Sequence, residues 1–427
     1  MKPKTFLIAA AAAAAMLLSC GKSGGKAPKP VTIRWWHINT DKPSSAAIAS
    51  IAADFEAANP GTDVEITILE NMEYKQKLEL EFAGKNPPDL FHSWGSGGMA
   101  EQAEAGLLKD VTSWVTGPKW KSRINPAALA LYSHKGRVSG FPHDLGAVGL
   151  WYNEKLLAKA GWKAFPEDWR GFKRLLGDLR DAGVAPIALG VSDRWPVMYY
   201  WAYFALRIGG PGIFSDILEG RKSFTDPAMV EAARMLQELS GLDCFQPTWI
   251  GDDFHTQSRW VGDGNCAMQL MGQWALALQE QVSESKAANT PFMRFAPFPA
   301  IEGRPGTTLD VMGGGNGFVV SAKAPDRAVE LLEFFTRPEN LQRYFDAFPA
   351  VPTVAEVRIA SPGLNQVKEY VGRMRNYCVY PDQMFPQRTG TALNEVSSRI
   401  LLGELAPEKG CELVEASWKE AREARAE

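Results

Sequence analysis

The residues with the most chemical potential in this chain are tryptophans set in polar loops. Trp36-His37-Ile38-Asn39-Thr40-Asp41-Lys42 and Ser93-Trp94-Gly95-Ser96-Gly97-Gly98 each put an aromatic ring beside several hydrogen-bonding groups. Trp195 stands in the polar stretch Ser192-Asp193-Arg194-Trp195-Pro196, and Trp274 follows an apolar strand and Gly272-Gln273. A ring next to hydroxyl, amide and charged groups suits a polar ligand that also has apolar faces. His143-Asp144 adds polar groups just past the bend Phe141-Pro142, and Gly315-Asn316 lies in a Gly-rich run.

Other chemistries fit these residues less well. A glycosidase needs two facing carboxylates, and Asp41 and Asp144 are the candidates a cleft could offer. Asp252-Asp253 reads as a solvated turn, because adjacent carboxylates on one loop point different ways. His37, His92 and His143 could in principle hold zinc, yet no HxH or HExxH spacing is present. GxGxxG is absent, no GK[ST] follows the Trp94 loop, and Trp94 occupies the first glycine position of a GxSxG elbow. Gly313-Gly314-Gly315-Asn316-Gly317 leads into the apolar run Phe318-Val319-Val320, whereas a phosphate loop must lead into a helix. That run is instead backbone thinned for close approach to a ligand or a neighbouring strand. The expectation is a binding site with no catalytic residue, no cofactor and no metal.

The elements that must position these groups follow from periodicity. Val31, Ile33 and Trp35 alternate as a strand, and Ile48, Ile51, Ala52 and Phe55 recur at helical spacing until Asn59-Pro60-Gly61. Val64, Ile66 and Ile68 form a second strand, Tyr74, Leu78 and Phe82 a second helix, and Asp89-Leu90-Phe91 a third strand before a helix from Met99. This βαβαβ order predicts an α/β fold with a parallel, doubly wound sheet, whose ligands lie beyond the carboxyl ends of the strands. The loops carrying Trp36 and Trp94 are the ones singled out. Phe141-Pro142 biases the chain toward an extended crossing between two halves, so a hinge is expected there.

The amino terminus predicts the compartment. Lys2 and Lys4 precede an apolar run from Phe6 to Leu18 that is too short to span a bilayer and reads as a secretory leader. Leu17-Leu18-Ser19-Cys20 resembles a bacterial lipobox, which implies cleavage after residue 19 and lipidation of Cys20. Residues 20–30 then form a Gly/Ser/Lys/Pro tether. The formal net charge of −3 and the lack of a Lys/Arg-dense tract argue against nucleic acid as a partner. Cys244, Cys266, Cys378 and Cys411 show no CxxC spacing, so buried free thiols are expected, although an exported chain permits pairing.

Six segments carry a family resemblance when taken together. They are FEAANPGTDVEI (55–66), PPDLFHSWGSGGMAEQAEAGLLKDV (87–111), GFPHDLGAVGLWYNEKLLAKAG (140–161), FTDPAMVEAARMLQEL (224–239), GDGNCAMQLMGQWAL (262–276) and GGGNGFVVSAKAPDRAVELLEFF (313–335). In this order they resemble the extracellular solute-binding proteins of bacterial ABC importers, in the large family that includes maltose- and glucose-binding proteins. The resemblance implies two parallel-sheet lobes joined by a discontinuous hinge: residues 31–142 plus 267–322 in one lobe, 143–266 plus 323–427 in the other. It implies a sugar held in the cleft, delivery to permease subunits in the membrane, attachment through the lipid alone, and a monomer. Carried over by position, the ligand contacts are Trp36, His37, Asp41, Lys42, Trp94, Ser96, His143, Asp144, Trp195, Trp274, Gly315 and Asn316. Aromatic rings would stack on the C–H face of a pyranose, and the polar groups would meet its hydroxyls. A phosphorylated polyol or another polar solute is the alternative ligand.

Overall fold

The computed structural model describes residues 30–120, 123–285 and 288–426. Cys20, the leader and the tether up to residue 29 lie outside the described residues. The predicted βαβαβ order is present: Val31–His37, helix Lys42–Ala58, Thr62–Ile68, helix Asn71–Ala83 and Leu90–Ser93. The first helix starts where it does because Asp41 caps it, accepting from the Ser44 backbone N–H at 2.8 Å, with Pro43 in its first turn. These three strands are parallel, with Val31–His37 in the middle. The sheet is completed by Gly317–Val320 and Gly140–Pro142, both antiparallel to their neighbours.

A second sheet runs in the order Met293–Ala296, Gly149–Asn153, Cys266–Met271, Ala185–Ile187. Of its pairings, Cys266–Met271 with Ala185–Ile187 alone is parallel. The second lobe is therefore built on a mixed sheet, where a parallel one was expected. A small third sheet joins Asn376–Val379, Asp310–Gly314 and Gly146–Ala147.

Each lobe has its own apolar core, and the boundary between them differs from the expected one. Ala267, Met271, Met293 and Met312 pack in the second core, while Ala328, Leu331, Phe335, Leu341 and Phe345 pack in the first. Residues 267–312 thus belong with the second lobe, and the helices Asp326–Phe335 and Pro338–Ala347 with the first. The reason is pairing. An apolar strand such as Ala267-Met268-Gln269-Leu270-Met271 suits either core, and its antiparallel register against Gly149–Asn153 assigns it to the second.

The chain crosses between lobes at three places that lie side by side. Phe141 packs in the first core and Ala147 in the second, so the crossing read from Phe141-Pro142 is present. The return passes through Gly315-Asn316, from the strand Asp310–Gly314 to Gly317–Val320. The third segment, residues 350–357, runs beside the first, with the Thr353 N–H donating to the His143 carbonyl at 3.0 Å. The chain leaves the first core after Val357 and enters the second at Leu364. His143 and Asp144 both donate their N–H to the Asn316 carbonyl, at 2.8 and 3.3 Å. The second core also holds Arg207, fully buried, whose guanidinium donates to the carbonyls of Pro299, Asp310 and Phe298 at 3.0, 2.9 and 2.7 Å. Arg207→Met strands those carbonyls without donors and is expected to cost about 3–5 kcal/mol, read as a lower urea midpoint. The four cysteines of the body are free and buried.

Candidate functional site

A cavity of about 930 Å³ lies between the lobes, a size that suits a small-molecule site. Its first-lobe wall comes from the loops after the parallel strands. Asn39, Asp41 and Lys42 line it after Val31–His37, and Trp94 lines it after Leu90–Ser93. Asp41 is held in place by its own capping bonds to Ser44, and Gln281 of the opposite lobe donates to it at 3.4 Å. Asn39 donates to the Tyr344 hydroxyl at 2.9 Å. Gly95 makes the Trp94 loop possible: its φ is 69°, and a Cβ there would sit 2.4 Å from the Leu131 carbonyl oxygen.

The second-lobe wall is aromatic. Trp195 and Tyr199 stand four residues apart on the helix Trp195–Gly209 and so share a face. Their ring centres are 5.5 Å apart, Phe254 is 4.9 Å from Trp195, and Tyr380 is 5.7 Å from Tyr199. Trp274 lies 6.4 Å from Trp195 and 6.2 Å from Tyr380. Gly272 explains how it gets there: a Cβ at that position would meet the Trp274 ring at 2.2 Å, so only a glycine lets the indole lie back over its own chain. The Tyr380 hydroxyl is buried and has no hydrogen-bond partner among the described residues. Asp193 and Asp253 line the same wall, each with one carboxylate oxygen committed to a helix N–H (Phe254 at 2.8 Å, Thr256 at 2.7 Å).

Of the residues expected at the site, the structure brings Asp41, Lys42, Trp94, Trp195, Trp274 and Asn316 to this cavity. The others lie elsewhere. Trp36 and His37 are buried in the first core, because a doubly wound sheet covers both faces of its strands and leaves neither alternation free for ligand. Ser96 opens the helix Ser96–Glu104 with a φ of 55° and is not on the cavity wall. Gly315 answers to the neighbouring strand: its Cβ would lie 2.3 Å from the Asp144 carbonyl oxygen.

His143 and Asp144 are also off the wall, correcting the expectation that both face the cleft. His143 is surrounded by Phe318, Phe335, Tyr344 and Phe345. Asp144, 3% exposed, lies behind Asn316 and accepts from its backbone N–H at 2.7 Å and its side-chain amide at 2.9 Å. Sequence reasoning missed Asn39, Tyr199, Phe254, His255, Tyr344 and Tyr380. The four-residue spacing from Trp195 could have found Tyr199. Tyr380 carries no such signal, since it reaches the cavity by tertiary packing alone.

Burial makes the histidines a pH liability. It lowers His37 to about 4 and His143 to about 3, and it also lowers His92, with His143, His37 and Lys75 adding to the effect. Burial raises Asp144 to about 7 against the opposing hydrogen bonds from Asn316. Below the ordinary histidine value of 6.5, unfolded histidines take up protons that the native ones refuse, so stability falls as pH drops from 6.5 toward 4. Asp144 acts oppositely, since the native carboxyl keeps its proton up to about 7 while an unfolded one releases it near 3.8. The histidines outnumber it. Urea midpoints at pH 5 should lie below those at pH 7, and His143→Phe should shrink the difference.

The family model for bacterial extracellular solute-binding proteins matches residues 39–342. The chain belongs to that family. A probable sugar-binding periplasmic protein of Mesorhizobium japonicum is 26% identical over 286 residues, covering 64% of this chain and 63% of the relative. The chain thus spans a little under two thirds of that relative's length. Among solved structures, a chitin oligosaccharide binding protein superposes with a TM-score of 0.83 at 24% identity, covering 93% of this chain and 99% of the other. A solute-binding protein in complex with raffinose gives a TM-score of 0.75 at 22% identity, covering 92% and 99%. At these identities the structures establish the fold. As in other solute-binding proteins of this family, two lobes flank a cleft, here lined by Trp94, Trp195, Trp274 and Asn316. Among the described residues no group of three or more His, Cys, Asp or Glu side chains could hold a metal ion, and no helix is long and apolar enough to cross a membrane.

Proposed function

We propose that this solute-binding protein captures a saccharide in the interlobe cavity and hands it to the permease of an ABC importer. The observation that carries this reading is the pairing of two walls. Trp195, Tyr199, Phe254, Trp274 and Tyr380 offer ring faces, and Asn39, Asp41, Lys42 and Asn316 offer hydrogen-bonding groups opposite. A pyranose has a C–H face for the first and a rim of hydroxyls for the second. The names of the relatives, sugar-binding and oligosaccharide-binding, support the same class of ligand. Closure would bury the hydroxyls against fixed partners, which rejects analogues that leave those partners unpaired. The protein acts as an exported monomer, lipid-anchored at Cys20, without cofactor or catalysis. A glycosidase reading has little to work with, because Asp144 is shut away behind Asn316 and the cavity carboxylates Asp41, Asp193 and Asp253 are each tied to a backbone N–H at the start of a helix. An anionic ligand such as a phosphorylated polyol would meet Lys42, while the other cavity lysine, Lys75, is already within 3.8 Å of Asp382.

Isothermal titration of the mature protein against mono- and oligosaccharides tests the proposal. Saturable binding to at least one is expected, with the sugar recovered unchanged. Silence across the panel would remove the saccharide, and release of a cleaved product would make the protein an enzyme.

A further inference from the structure

We propose that the ion pair Lys75–Asp382 is the end wall of the saccharide site, and that the small chamber behind it is a further subsite the pair closes off. This rests on the saccharide reading above and concerns the length of the ligand.

The geometry is that of a gate. Lys75 belongs to the helix Asn71–Ala83 of the first lobe and Asp382 to the helix Pro381–Met384 of the second, so their 3.8 Å contact spans the cleft. Each partner is braced on its own lobe. The Lys75 ammonium sits 4.8 Å from the centre of the Trp94 ring, and the Asp382 carboxylate accepts from the amides of Gln383 and Asn394 at 2.9 and 3.1 Å. Both side chains are mostly shielded from solvent, at 19% and 7% exposure. Water therefore weakens the pair less than it would on an open surface.

Lys75 and Asp382, together with Trp94 and His92, line two cavities at once. On one side is the main cavity. On the other is a chamber of about 80 Å³. It is too small for a sugar ring and large enough for a few waters. Its lining asks for a hydrogen-bonding occupant. Both ring nitrogens of His92, which is 3% exposed, and the Oδ1 of Asn394, which is 7% exposed, have no partner among the described residues. Buried polar atoms in native proteins rarely stay unpaired. Asn394 lines only the chamber and His92 stands at its boundary with the main cavity, where the next unit of a chain would arrive if the Lys75 side chain were removed.

The test is isothermal titration with linear oligosaccharide ladders (malto-, cello-, xylo- and chito-series) of increasing length. Wild type, Lys75→Ala and Asp382→Asn are compared, with thermal melts to confirm folding. Asp382→Asn removes the charge pair while leaving the first lobe untouched. The expected result is that Lys75→Ala, which frees space, gains about tenfold for the saccharide one unit longer than the wild-type optimum, and that Asp382→Asn, which loosens the pair without freeing volume, gains less. Adding Asn394→Leu to Lys75→Ala should cancel that gain. An unchanged length preference, or equal losses at every length, would overturn the proposal and leave the pair a latch between lobes with a water-filled space behind it. If wild type binds no saccharide at all, the saccharide reading falls first and this one with it.

Discussion

Trp274→Ala is expected to raise the Kd for the bound sugar at least about thirtyfold, or about 2 kcal/mol, while the circular dichroism spectrum stays unchanged. The indole belongs to a wall in which Trp195 and Tyr380 stand 6.4 and 6.2 Å away, so its loss opens the middle of the wall rather than an edge. Its backbone does not depend on the ring. Trp274 precedes the helix Ala275–Val282, which is anchored in the second core by the buried Ala275 and Leu276, while the indole packs at the rim of that core. Trp274→Phe should recover part of the affinity, because a smaller ring still offers a stacking face. Titration against the best ligand of the wild type measures both, and unaltered binding in Trp274→Ala would place the sugar away from this wall. Gly272→Ala is the companion variant. It should weaken binding in the same direction, since its methyl group would push the indole off the position it now holds.

The second large effect concerns a residue that does not touch the cavity. Asp144→Ala is expected to weaken binding about tenfold, about 1.4 kcal/mol, without unfolding the protein. Asp144 accepts from the Asn316 backbone N–H and from its side-chain amide, and Asn316 is on the cavity wall. The carboxylate therefore acts as a positioning group that decides how the Asn316 amide faces the ligand. Removing it frees that amide to rotate, yet the backbone bonds from His143 and Asp144 to the Asn316 carbonyl remain. The crossing segments should stay zipped together and the melting temperature should fall only modestly. Asp144→Asn separates geometry from charge: if the ionised carboxylate is what holds Asn316, wild-type affinity should improve as pH rises through about 7, and the asparagine variant should show no such rise. Affinity unchanged in Asp144→Ala would make the residue purely a structural strut.

Much of the architecture can be read without coordinates. The alternation of Val31, Ile33 and Trp35, the helical spacing of Ile48, Ile51, Ala52 and Phe55, and the cap Asp41-Lys42-Pro43 are local properties. They depend on backbone geometry and near neighbours, so the sequence itself determines the βαβαβ opening and the loops at its strand ends. The glycine before Trp274 and the extended Phe141-Pro142 crossing are local in the same sense. So is the choice of Trp94 and Trp274 as rings beside glycines, whereas Trp195 heads a helix and packs in the second core while still lining the cavity.

The allocation between lobes was decided by tertiary structure alone. Ala267 to Met271 is apolar throughout apart from Gln269, and nothing in such a strand says which of two hydrophobic cores will receive it; the register against Gly149–Asn153 settles that. The fate of the histidines is the same kind of question. His37 and His143 read as polar groups near a cleft, but burial turns both into core residues, His143 among the rings of Phe318, Phe335 and Tyr344. His92, also buried, still lines the cavity. Tyr380 is the converse, reaching the aromatic wall from far along the chain with no pattern of its own. Periodicity records which residues leave water; it does not record what they meet when they do. That is why the tryptophans in loops were legible, and why Asp144 changed from a ligand contact into the residue that holds Asn316.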